Sequence, residues 1–161
     1  MHLTLIPIFA AVMYVWWTHP ALPQLIASHF TTQGVADGFM ERDQYVTVMI
    51  ALMILLPLGC ALLGALFTKL PDQAIRIPRR SYWLNPERRQ ESLSYLSNWL
   101  QSLSLLLIAL LAFVHWSILR ANQHTPSHLD TETLLLGSGL FVAALAAWVL
   151  ILRRRFGLPA E

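Results

Sequence analysis

Apolar residues fall in four long blocks, at about 3–17, 45–70, 99–119 and 134–152, with polar stretches between them. Inside a block they follow neither the one-sided stripe of a helix on a soluble core nor the alternation of a half-buried strand. A helix apolar on every side is at home in lipid, and roughly 20 such residues cross the hydrocarbon core of a bilayer. The pattern predicts an all-α polytopic membrane protein. Four transmembrane helices form a helical bundle, a single membrane domain over 1–161, connected by loops 18–44, 71–98 and 120–133.

Each block carries its own local signals. The first is short and ends in Trp16 and Trp17, whose indoles favour the headgroup level. A cleaved signal peptide has an apolar core of this length, but no Lys or Arg precedes it and Thr18-His19-Pro20 is a poor cleavage site, so a retained helix is expected. The second block contains Pro57, which removes a helical hydrogen bond, crowds the Met53 carbonyl and predicts a kink. Asn85-Pro86-Glu87 reads as a helix start, with the helix running through Glu91, Tyr95 and Asn98 into the third span. There Asn98, Gln101, Ser102 and Ser104 are expected to bond to neighbouring helices. The fourth block presents Gly139, Ala143 and Ala147 at four-residue spacing, a small-residue face for close helix contact or for a homo-oligomer.

Composition supports the membrane reading. At 56% hydrophobic and 12% charged residues, a soluble domain is excluded. Charge then sets a direction. Loop 71–98 and the C-terminal tail, with Lys69, hold Arg76, Arg79, Arg80, Arg88, Arg89, Arg153, Arg154 and Arg155 against Asp72, Glu87, Glu91 and Glu161, a balance of +5. The other two loops hold Arg42 and Arg120 against Asp37, Glu41, Asp43, Asp130 and Glu132, a balance of −3. Basic loops stay inside, so both termini are expected in the cytoplasm and loops 18–44 and 120–133 outside. No Asp, Glu, Lys or Arg lies deep within a span, which argues against a proton relay. The single cysteine, Cys60, has no partner for an internal disulfide and reads as a packing residue.

Trp17-Thr18-His19-Pro20-Ala21-Leu22-Pro23, then Ile26, His29-Phe30, Gly34 and Asp37-Gly38-Phe39 resemble the signature of a bacterial membrane domain of unknown function, whose best-known members are SdpI-type immunity and signalling proteins. That signature has a proline where Ala27 stands, an asparagine at Thr31 and a lysine near Arg42. Ile77-Pro78 and the run from Tyr82 to Arg89 look like the cytoplasmic segment of a small uncharacterised subgroup with four spans. The Gly-x-Arg-Thr segment of the immunity proteins is missing. The resemblance implies a multi-pass protein of the bacterial inner membrane with a sensor, immunity or accessory role.

Three groups of residues could carry function. Pro20 and Pro23 stiffen the approach to the first outward loop, Gly34 and Gly38 permit tight turns, and His29 can meet Asp37 across it. His29, Phe30, Gly34, Asp37 and Gly38 either pin that loop or recognise an extracytoplasmic ligand, peptide or membrane-protein partner. His19, His29, His124 and His128 gather on the outer side as weak metal candidates, although their spacing matches no metal motif and Pro126 interrupts the last pair. Arg79, Arg80, Trp83, Arg88 and Arg89 suit anionic lipid headgroups. No nucleophile elbow, zinc-protease motif or phosphate-cradling loop occurs, so neither catalysis nor a cofactor is expected. The only certain partner is the lipid bilayer, and no nucleic-acid partner is expected. The reading is a non-enzymatic membrane protein that recognises an extracytoplasmic ligand; the alternative is a small transporter or metal-handling protein using the outward histidines.

Overall fold

The computed structural model describes residues 2–157. In chain order it has helix α1 (His2–Thr18), strands β1 (Leu25–Phe30) and β2 (Ala36–Glu41), and helices α2 (Arg42–Phe67), α3 (Arg80–Trp83), α4 (Arg89–Ala121) and α5 (Thr131–Gly157). Three of these, α2, α4 and α5, are long and apolar enough to cross a membrane. With 17 residues, α1 is about one turn shorter than a bilayer core requires.

An all-α chain was the expectation, and the structure corrects it within loop 18–44. β1 and β2 pair antiparallel as a hairpin. Two strands alone are marginal in water, and this pair has few β-branched residues, so its stability comes from elsewhere in the chain. Asn122, just past α4, accepts a hydrogen bond from the Ala27 N–H at 2.8 Å and donates to the Ala27 carbonyl at 3.0 Å. At the tip, the Leu129 N–H donates to the Gly34 carbonyl at 2.9 Å. The two polar stretches 18–44 and 120–133 therefore meet at one end of the bundle.

At the opposite end the basic segment folds onto the end of α5. Ile75, Trp83, Leu84, Leu93, Leu96 and Phe156 form a buried cluster there. The Trp83 indole N–H donates to the Phe156 carbonyl at 3.2 Å, and Arg155 pairs with Glu91 at 2.6 Å. Asn85 was expected to start the next helix; it caps the turn just before it, its side-chain oxygen accepting from the Arg88 N–H at 2.9 Å, and α4 itself begins at Arg89 with Arg88 in the cap position. The 33 residues of α4 extend to about 50 Å, longer than a hydrocarbon core is thick.

A second cluster joins α1, β1, α2 and α4 through Ile8, Val15, Ile26, Val46, Met53 and Ile108, among others. Between α2 and α4, the Ser104 hydroxyl donates to the Pro57 carbonyl at 2.8 Å. A Cβ on Gly64 would lie 2.9 Å from the Ser97 carbonyl oxygen, so the small residue permits that approach. α5 sits at the edge of the bundle, with Phe156 its one buried residue. Trp99 and Trp148 fasten it, their rings stacked at 3.5 Å and each indole N–H donating to the other's backbone carbonyl at 3.0 and 3.1 Å. Nearer the hairpin, the Phe113 ring fills the space where Gly137 lacks a side chain. The small-residue face of Gly139, Ala143 and Ala147 is exposed, so Gly137 makes the close approach within the chain instead.

Candidate functional site

The hairpin turn is built from Thr31 to Val35. The Gly34 N–H donates to the Thr31 carbonyl and the Thr31 N–H to the Val35 carbonyl, at 2.9 and 2.8 Å. Gly34 has φ +81°, and a Cβ on it would fall 2.3 Å from the Leu129 carbonyl oxygen. Both the turn and the stretch 120–133 demand glycine here.

Register explains how the central pair is aimed. Ala27 opposes Phe39, His29 opposes Gly38 and Phe30 opposes Ala36, so Ser28 and Asp37 are extra residues in their strands. On a regular strand Asp37 would face away from the side shared by His29 and Gly38. The irregularity turns it back, as bulges do, and His29 Nδ1 lies 2.5 Å from Asp37 Oδ1. The imidazole N–H donates and the carboxylate accepts. Gly38 makes room, because a Cβ there would stand 2.8 Å from the His29 Cβ. The pair is open to solvent, with the His29 and Asp37 side chains 75% and 44% exposed.

Phe30, the next residue on β1, is half-buried. It lines two grooves of about 210 and 450 Å³ that run between the hairpin and the start of α5, past Leu129 and Leu134. Their walls pass from Thr31, Thr32 and Thr131 to Leu134 and Leu135 on one side, and to Val114 and Ile118 on the other. Arg42 braces the hairpin base, its guanidinium donating to the Leu22 carbonyl at 3.4 Å.

Other expected residues are dispersed. His19 pairs with Asp43 at 3.2 Å, away from His29, while His124 and His128 line a separate cavity with Asp130. Among the described residues, no three His, Cys, Asp or Glu side chains come together to hold a metal ion. Of the headgroup candidates, Arg79 and Arg80 are exposed, whereas Arg88 lies over the Tyr82 ring at 4.4 Å and Arg89 binds Asp72 at 2.9 Å. Trp83 is buried, so its ring packs the core and does not face lipid heads.

Two contributors were not visible in the sequence. Asn122, the clamp on β1, sits among ordinary loop residues and carries no motif. His115 lies within the third apolar block and carries no motif either. It is fully buried where α1, α2 and α4 meet, with Nε2 2.7 Å from Thr18 Oγ1 and Nδ1 2.9 Å from the Tyr45 hydroxyl. Thr18 Oγ1 also donates to the Tyr14 carbonyl at 2.9 Å. Every donor is used if Nε2–H donates to Thr18 and the Tyr45 hydroxyl donates to Nδ1.

Fold and site together define a membrane-embedded helical protein with a hairpin held against one end of its bundle. Residues 6–55, which run from α1 through the hairpin into α2, match the family model of a domain of unknown function, DUF1648. No curated protein and no solved structure matches the chain.

Proposed function

We propose that this is a non-enzymatic integral membrane protein of the bacterial inner membrane whose hairpin recognises an extracytoplasmic peptide, protein or lipid. In this reading α1 is the first of four crossings, the start of α1 and the end of α5 face the cytoplasm, and the basic segment lies on the inner side with Arg79 and Arg80 toward anionic lipid heads. One observation carries the proposal. His29 and Asp37 form a hydrogen-bonded pair aimed by two strand irregularities and left open to solvent, on a hairpin that Asn122 and Leu129 hold in place. A pair serving only to pin the loop would add little to that anchorage, since exposed ion pairs contribute between zero and about 1 kcal/mol. Irregularities of this kind are over-represented beside functional sites.

The test is photo-crosslinking from a benzophenone amino acid at Thr32 in intact cells. A discrete adduct in the wild-type background that disappears with His29→Ala and with Asp37→Asn, but persists with Arg80→Gln, supports recognition at the hairpin. Adducts indifferent to His29 and Asp37 would leave the pair a structural pin and the proposal without its basis.

A further inference from the structure

Behind the hairpin, where α4 ends and α5 begins, lies a partly open cavity of about 80 Å³ lined by Trp116, Ser117, Arg120, His124, His128 and Asp130, among others. Arg120 and Asp130 bring opposite charges to this one cavity, yet among the described residues they do not pair with each other. The Arg120 guanidinium lies over the Trp116 ring, 5.1 Å from its centroid. The Asp130 carboxylate accepts from the N–H and hydroxyl of Thr133 at 3.1 and 2.6 Å. Those bonds, with a smaller contribution from the Arg120 charge, hold the Asp130 carboxyl below the ordinary carboxylate value, so its charge persists at neutral pH. A positive and a negative group thus stand apart across a gap with room for roughly five or six water-sized groups.

Depth narrows what fits. Arg120 is in the last turn of α4 and Asp130 immediately precedes α5, at the hairpin ends of two helices long and apolar enough to cross a membrane. Leu129 lines this cavity and also the two apolar grooves past Phe30 and Leu134, so a polar compartment continues into an apolar one. The matching shape is an amphiphile with both charges in its head.

We propose that this cavity binds a zwitterionic phospholipid headgroup carrying a primary ammonium, with the phosphate at Arg120, His124 and His128, the ammonium at Asp130, and an acyl chain along the Leu129–Leu134 groove. Guanidinium groups suit phosphate oxygens, and either tautomer of an imidazole has an N–H to donate. A primary ammonium brings three N–H donors to a carboxylate. A trimethylated ammonium brings none, and a glycerol head brings no positive charge. The site lies at the hairpin end of the bundle, and its polar part does not use the His29/Asp37 pair.

The experiment is lipid add-back to the purified full chain in mild detergent, read by native mass spectrometry. Phosphatidylethanolamine, phosphatidylcholine and phosphatidylglycerol of identical acyl chains are supplied in equal amounts. Phosphatidylethanolamine is expected to be retained above both others. Asp130→Asn, which keeps an oxygen to cap Thr133, is expected to bring it down to the phosphatidylcholine level. Arg120→Gln should lower its retention roughly fivefold, the effect of one basic residue near a lipid head. Equal retention of the three lipids, a lead for phosphatidylglycerol, or an ethanolamine preference that survives Asp130→Asn would each overturn the assignment.

Discussion

A methyl group at position 34 has no space and no comfortable backbone. Gly34 combines φ +81° with a Cβ direction that runs 2.3 Å from the Leu129 carbonyl oxygen. Gly34→Ala should therefore destabilise the protein by roughly 2–3 kcal/mol, from left-handed strain plus the clash, read as a lowered thermal midpoint in detergent. An unchanged midpoint would mean that the hairpin tip does not dock on Leu129. Gly34 and the His29/Asp37 pairing were legible in the sequence, because turn chemistry is local and the two residues are eight positions apart; Gly38, expected at a tight turn, sits inside β2 and makes room for His29 instead. His115 was not legible in the same way. Its partners Thr18 and Tyr45 are 97 and 70 residues away, and no local pattern announces a contact made only when three helices assemble.

Among the elements, the hairpin shows why strand propensity misleads. Ala27, Ser28, Ala36 and Gly38 are poor strand formers, and the pairing survives because Asn122 satisfies both backbone groups of Ala27. Asn122→Ala should speed amide hydrogen exchange of Ala27 by about fivefold, the effect of losing a hydrogen bond near 1 kcal/mol. Protection that survives the substitution would place the anchorage elsewhere. The α4–α5 contact makes a second prediction through its tryptophans. Trp148→Phe keeps the ring stack and removes an indole N–H that reaches the Trp99 carbonyl and the Ser102 hydroxyl. Its effect should be about 0.6 kcal/mol and no more than about 1.7, measured by unfolding in bicelles, whereas Trp148→Ala should exceed it by losing the stack as well. The start of α5 is pH-sensitive in a defined direction. Because Thr133 lowers the Asp130 carboxyl, the stabilisation is complete above its ordinary value of 3.8 and is lost as pH falls through the lower folded-state value. Wild-type stability should drop more steeply than that of Asp130→Asn in that acidic window, and parallel curves would contradict the cap.

At the scale of the whole molecule, three of the four expected spans were readable because hydropathy is a running property of the chain and needs no partner, while α1 is too short to be counted with them. Three helices are long and apolar enough to cross a membrane, and α5 leaves its apolar side chains facing outward, as lipid permits. The segregation of charge has a three-dimensional counterpart. The acidic stretches 18–44 and 120–133 are bonded together at one end, and the arginine-rich segment is packed against the end of α5 at the other. The sequence offered no sign that Trp83 would leave the surface for that second core, since the indole's partner, Phe156, is 73 residues away. The central claim is that these two ends lie on opposite sides of a bilayer, with the hairpin outside. It is tested most directly by replacing Cys60 with serine, placing a single cysteine at Gln33 or at Arg80, and treating intact cells with a membrane-impermeant maleimide. The account predicts labelling at position 33 in intact cells and at position 80 only after permeabilisation. Labelling at 80 without 33 would turn the protein over, and labelling at both in sealed cells would contradict a chain that spans the membrane.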